Sequence, residues 1–241
     1  MPPTKTNAPS QPPPFAVKDC ALAAIATGVR AQTLRELRDR CRDIHPGAVY
    51  YHFWGRLLRP TFDNPEFTND FAQWAYEALH DTRLAERLGV IDPTAFEDTE
   101  ALRRELIEVC EERLDELATV PASASDRQFS FIRSQIVVFD THKRIARPRD
   151  LSSAFAQLSL GSIFYHFIDA RRRTAEGLDD FRVWLGGFGE PGAPLIDAIG
   201  KLDPYFAPLS EQRAALVGAA AAALASTATA KTAPGKKGGK R

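Results

Sequence analysis

Two histidines sit in matching settings. His52 lies in Gly47-Ala48-Val49-Tyr50-Tyr51-His52-Phe53, and His166 in Gly161-Ser162-Ile163-Phe164-Tyr165-His166-Phe167, 114 residues later. Each is followed by an acid that opens a downstream helix pattern, Asp70 in one case and Asp180 in the other. A carboxylate beside an imidazole fixes its tautomer, favours its protonated form, and can tune it for ligand binding or acid–base work. No serine or cysteine nucleophile recurs beside either pair, so a hydrolytic triad has no support. The competing reading is a core histidine packed among aromatics with its ring nitrogens satisfied. Access separates the two: a buried, fully bonded ring cannot act as an acid or base.

Other side chains could furnish a ligand site. Tyr51 and Tyr165 precede the histidines. Trp74 and Trp184 each stand three residues beyond a phenylalanine, Phe71 and Phe181, on one helix face. Aromatics so spaced form core or wall a pocket. Arg171 and Arg172 end the segment that carries His166 and are candidates for an anion, although no glycine-rich loop accompanies them. His80-Asp81 has the form of a metal-ligating pair, but no second histidine–aspartate set follows in the required order. Neither a metal nor any other cofactor is expected.

These residues need elements to hold them. Leu34, Leu37, Cys41 and Ile44 give one apolar helical face, and Pro46 suits the first turn of the next helix, 46–58. Arg59-Pro60 ends it. Asn69 is an N-cap for the helix carrying Asp70 and Trp74. Further helices are expected near 84–91 and 98–118, then near 148–159, 161–173, 178–187, 193–201 and 209–225. Residues 15–25 leave strand and helix open, whereas 129–139 are richer in β-branched and aromatic residues. Matches such as Thr27 with Thr141, and Asp70-Phe71 with Asp180-Phe181, imply a duplication. The expected fold is mainly α: two tandem, similar helical halves of about five helices each, spanning 15–120 and 128–226, with short extended segments at the start of each. A proline-rich arm, 1–14, and a basic tail, 227–241, lack the apolar residues to join a core.

Thr27-Gly28, Tyr51-His52-Phe53, Asn69-Asp70-Phe71-Ala72 and Leu84-Ala85-Glu86-Arg87-Leu88 resemble a bacterial and archaeal family known only as a domain of unknown function. Its pattern of an aromatic pair before histidine, an acid-Phe-x-x-Trp helix and an Ile-Asp-Pro turn recurs in Ser162–His166, Asp179-Asp180-Phe181, Trp184 and Leu202-Asp203-Pro204. His142 stands where the first half has Gly28, so that turn is expected to differ. The resemblance covers most of 15–220. It implies no activity, only a carbohydrate context, through neighbouring glycosyltransferase and trehalose-type genes.

Composition narrows the rest. The 241 residues carry no net charge. The tail holds Lys231, Lys236, Lys237, Lys240 and Arg241, so the remainder is acidic by about five charges, which disfavours broad nucleic-acid binding except through the tail. Three cysteines without metal spacing fit a reducing compartment, and no apolar run suits a signal peptide or membrane span. The expectation is a cytoplasmic binding or assembly protein with a protein partner, a small-molecule ligand being secondary and no membrane involved, possessing no enzymatic activity and serving as an accessory to carbohydrate metabolism. The alternative is a hydrolase or transferase using His52/Asp70 or His166/Asp180 on a sugar or phosphate.

Overall fold

The structure, a computed structural model, describes residues 12–59 and 66–232, without the side chains of 227–232. Most of the proline-rich arm, the loop after Arg59 and the basic end of the tail lie outside the described residues.

In chain order the elements are β1 (Phe15–Ala31), α1 (Leu34–Asp43), α2 (Pro46–Leu58), α3 (Asp70–Glu77), α4 (Thr82–Gly89), α5 (Thr99–Glu116), β2 (Phe129–Ile145), α6 (Leu151–Gln157), α7 (Leu160–Ile163), α8 (Asp180–Gly186), α9 (Ala193–Gly200) and α10 (Leu209–Thr232). A π-helical turn, Phe164–Ile168, and a 3₁₀ turn, Asp169–Arg172, extend α7. The helix that closes the chain continues to Thr232, past the expected stop near Ala225, in keeping with the high helix propensity of its alanines.

The expectation of a mainly α protein with two tandem helical halves is overturned. Among the described residues, beside ten α-helices stand two strands of 17 residues each, paired in a two-stranded antiparallel sheet. Nor are the compact units consecutive. One comprises Asp19–Phe139 with Pro204–Leu209; the other takes its described residues from the chain before Asp19, from Asp140–Asp203 and from Ser210 onward. Local periodicity reports helices well, but strand pairing joins residues over a hundred positions apart, which a local pattern does not encode.

In the first unit, α1 packs on α5, and Leu34, Leu37 and Cys41 are buried, as are Leu102, Leu106 and Cys110. Residues Ala48–Gly55 of α2 are buried without interruption, so this helix is central rather than amphipathic. Phe129 and Phe131 of β2 enter the core on alternate positions, with exposed Ser130 between them, following the period of a strand. In the second unit Phe15 and Val17 of β1 do the same, and Phe155, Phe164, Phe167 and Phe181 are fully buried.

One expected difference is absent. Gly28 and His142 share the left-handed backbone, with φ of +75° and +60°. Thr27 Oγ1 donates to the Phe131 carbonyl at 2.7 Å, and Thr141 Oγ1 to that of Val17 at 2.6 Å. Histidine therefore adopts a conformation that glycine takes without steric cost.

Candidate functional site

The first site is built on α2, α3 and β2. Asn69 caps α3, its Oδ1 accepting from Ala72 N at 2.9 Å while its Nδ2 donates to the Leu88 carbonyl at 2.9 Å. The cap places Asp70 at the start of the helix, facing α2. His52 Nδ1 lies 2.9 Å from Asp70 Oδ2, and His52 Nε2 accepts from the main-chain N–H of Ile132 at 3.0 Å. These partners assign the Nδ1–H tautomer. Phe71, Phe129 and Phe131 surround the ring, which is 3% exposed.

Electrostatics follows from this geometry. Burial lowers the His52 pKa; Asp70 opposes that shift and Arg59 assists it. Burial alone would raise the Asp70 carboxyl, but His52 and Arg59 hold it below its usual range. Asp70 thus favours the protonated ring, as expected of a carboxylate beside an imidazole, but burial outweighs it and shifts His52 toward the neutral form. A proton on Nε2 would displace the Ile132 N–H and place charge in an aromatic core.

The second site repeats the connections. His166 Nδ1 lies 2.7 Å from Asp180 Oδ2, and His166 Nε2 accepts from Lys18 N at 2.8 Å. Phe15 and Phe181 flank the ring, which is 2% exposed. Burial raises the Asp180 carboxyl, but His166 and Arg173 outweigh it and hold the group low.

The remaining candidates are engaged in structure. Tyr51 meets His52 edge-on and carries the Arg59 guanidinium 5.2 Å from its ring centre; Tyr165 meets His166 likewise under Arg173, at 4.1 Å. Trp74 Nε1 donates to the Arg127 carbonyl at 2.8 Å, and Trp184 Nε1 to that of Pro13 at 2.9 Å. Arg172 Nε bonds Asp169 at 2.5 Å, and Arg171 Nη2 lies 3.8 Å from Asp179. Asp81 accepts from Leu84 N and from Arg113, so its carboxylate serves as a helix cap and an ion-pair partner. Among the described residues no three His, Cys, Asp or Glu side chains group as metal ligands.

Arg59 and Arg173 were missed as site residues. Arg59 Nη2 reaches both Asp70 oxygens, at 2.6 and 2.8 Å; Arg173 Nη2 reaches Asp180 at 3.1 Å. The signal was present: the two arginines are separated by the same 114 residues as the histidines.

Beside His52 a cleft of about 920 Å³ opens. Asp70, Trp74, Tyr76, Arg127 and Ser130 are among its lining residues. His80 also lines it, from a left-handed backbone with φ of +54°. Among the described residues no helix is long and apolar enough to cross a membrane.

Comparison with known proteins adds a family and a fold. The solved structure of OrfY from Thermoproteus tenax is similar at 28% identity and a TM-score of 0.74, over 89% of this chain and 97% of that one. No curated protein matches the sequence. The family of unknown function DUF5752 matches residues 12–221, and the chain belongs to that family.

Proposed function

We propose that this protein is a non-catalytic binding or assembly protein with a protein partner. One observation carries the reading: at both His–Asp pairs the two ring nitrogens are already bonded, one to the aspartate and one to a strand N–H. A general acid or base needs a nitrogen within reach of substrate. These rings instead fasten a strand to a helix pair, and their burial among phenylalanines suits that task. The carbohydrate context implied by the family resemblance makes glycosyl-transferring and glycosyl-hydrolysing enzymes the first partners to test.

The test uses His52→Ala and His166→Ala. Leaving buried partners unsatisfied costs about 1–3 kcal/mol, so both variants should melt earlier than the parent. Neither the parent nor either variant should turn over phosphate or glycoside substrates. Unchanged melting together with lost turnover would overturn the reading and make the pairs active sites.

A further inference from the structure

The sheet has two strands, so β2 has an edge that β1 does not cover. Ile132 sends its N–H to His52, which places its main chain on that outer edge. Strand alternation puts the main chain of Ser130, two residues earlier, on the same edge. Ser130 is exposed and lines the cleft together with Gln128 and Arg127. The Arg127 guanidinium contacts the Glu77 carbonyl at 3.4 Å, and among the described residues no carboxylate stands within ion-pair distance of it. Glu77 also lines the cleft, but its carboxylate accepts from Gln73 Nε2.

The other unit treats the corresponding stretch differently. There Pro12, Pro13 and Pro14 precede Phe15, where the first unit has Asp126, Arg127 and Gln128 before Phe129. Proline has no N–H to offer, and it commonly blunts strand edges. Pro13 also gives its carbonyl to Trp184, as Arg127 gives its own to Trp74. Of two equivalent strand entries, one is blocked by prolines. The other has the N–H groups of Gln128 and Ser130, a guanidinium with no carboxylate partner among the described residues, and a cleft.

Resting on the reading of this chain as a binding protein, we infer that the cleft receives an extended segment of the partner protein. The segment adds as a strand to the Gln128–Ser130 edge of β2 and sets an acidic side chain against Arg127. Strand addition draws affinity from main-chain hydrogen bonds and specificity from alternate side chains. Tyr76, 37% exposed, offers an apolar wall for one of them. Ile132 and Arg127 have their own main-chain partners, so the pairing edge is Gln128–Ser130, about 10 Å at roughly 3.3 Å per residue.

The probe is a phage-displayed library of nine-residue peptides selected on the full chain, with affinities of labelled winners read by fluorescence anisotropy. Winners should share one acidic position. Ser130→Pro should weaken them about tenfold while the melting temperature holds, since it removes one edge N–H. Arg127→Glu should weaken them several-fold, and a peptide with its acid changed to lysine should recover on that variant. The charge exchange decides the matter if Ser130→Pro does not fold. Peptides indifferent to both variants, no selected peptide at all, or self-association of the chain through this edge would each overturn the inference. So would a small anionic ligand such as citrate or inorganic phosphate filling the cleft and excluding every peptide. These failures are separate from failure of the binding-protein reading, which is marked by turnover in the parent that His52→Ala loses with its melting unchanged.

Discussion

The two histidine sites make the same connections by different routes. At the first, 18 residues separate His52 from Asp70, and His52 sits in an unbroken α-helix. At the second the separation is 14, and His166 sits in a π-helical turn that passes into a 3₁₀ turn. π-helical turns often mark functional positions inside helices. Here the irregular backbone accompanies a connection shorter by four residues, while ring, carboxylate, arginine and strand keep their contacts. What is preserved is therefore the fastening of strand to helices, not the helix geometry. The arginines differ too. Among the described residues Arg59 gives its charge to Asp70 alone, with Arg56 3.5 Å from the same carboxylate, whereas Arg173 is shared between Asp180 and Asp169.

The largest expected effects test whether both strands are core members. Phe129→Ala and Phe15→Ala should each cost about 3–5 kcal/mol in urea unfolding, because each phenylalanine packs against a histidine, a phenylalanine and a tryptophan. A silent Phe15→Ala would break the comparison at its base.

The acids come next. Asp70→Asn removes the carboxylate that Arg59 has among the described residues, whereas Asp180→Asn leaves Arg173 bonded to Asp169. Both should destabilise by about 1–3 kcal/mol, with Asp70→Asn the worse. The reverse ranking in a denaturant series would show that Arg59 is compensated elsewhere.

Acid should weaken the first site in two stages. The native pKa of His52 lies below the ordinary 6.5, so the unfolded chain takes up the proton first. Stability contributed by this group is complete above pH 6.5 and is lost as the pH falls through the native value. Asp70, held below 3.8, acts in the same direction at lower pH. Melting temperature measured against pH should fall below about 6.5, and His52→Ala should flatten that first decline. A parent protein more stable at pH 5 than at pH 7.5 would contradict the assigned tautomer.

The smallest effects belong to the matched left-handed positions. His142→Gly should stabilise by up to about 1 kcal/mol, and Gly28→Ala should destabilise by about 1 kcal/mol, both read from thermal melts. Equal and negligible shifts would mean that the turn tolerates a side chain freely.

The helical part of this design was legible because capping residues and apolar spacing are local. Asn69 and Pro46 mark helix starts where the structure has them. Phe129–Phe139 was readable as strand from its β-branched and aromatic residues, while Phe15–Ile25 was ambiguous, since its alanines serve helix as well. The His–Asp pairs were visible as recurring types. Their second partners, the N–H groups of Ile132 and Lys18, were not, because any non-proline residue supplies a main-chain N–H and the sequence does not mark which one is used. The shift of His52 toward its neutral form follows from burial, which outweighs the pull of Asp70 toward the protonated ring, and local sequence does not mark how deep a residue will lie.

The distance along the chain between Lys18 and His166 bears on how the protein is made. The strand that completes the second unit leaves the ribosome early, and its histidine partner follows 148 residues later. At roughly 5–20 residues per second, that is an interval of about 7–30 s. Throughout it Phe15 and Val17 are without the core that buries them, and a nascent chain stopped in the connection between α5 and β2 would lack Phe129 and Phe131 for the first unit. Synthesis therefore cannot bank one finished unit before starting the other. Severing the gene at that connection should yield two fragments that dissolve poorly apart and recover only when expressed together.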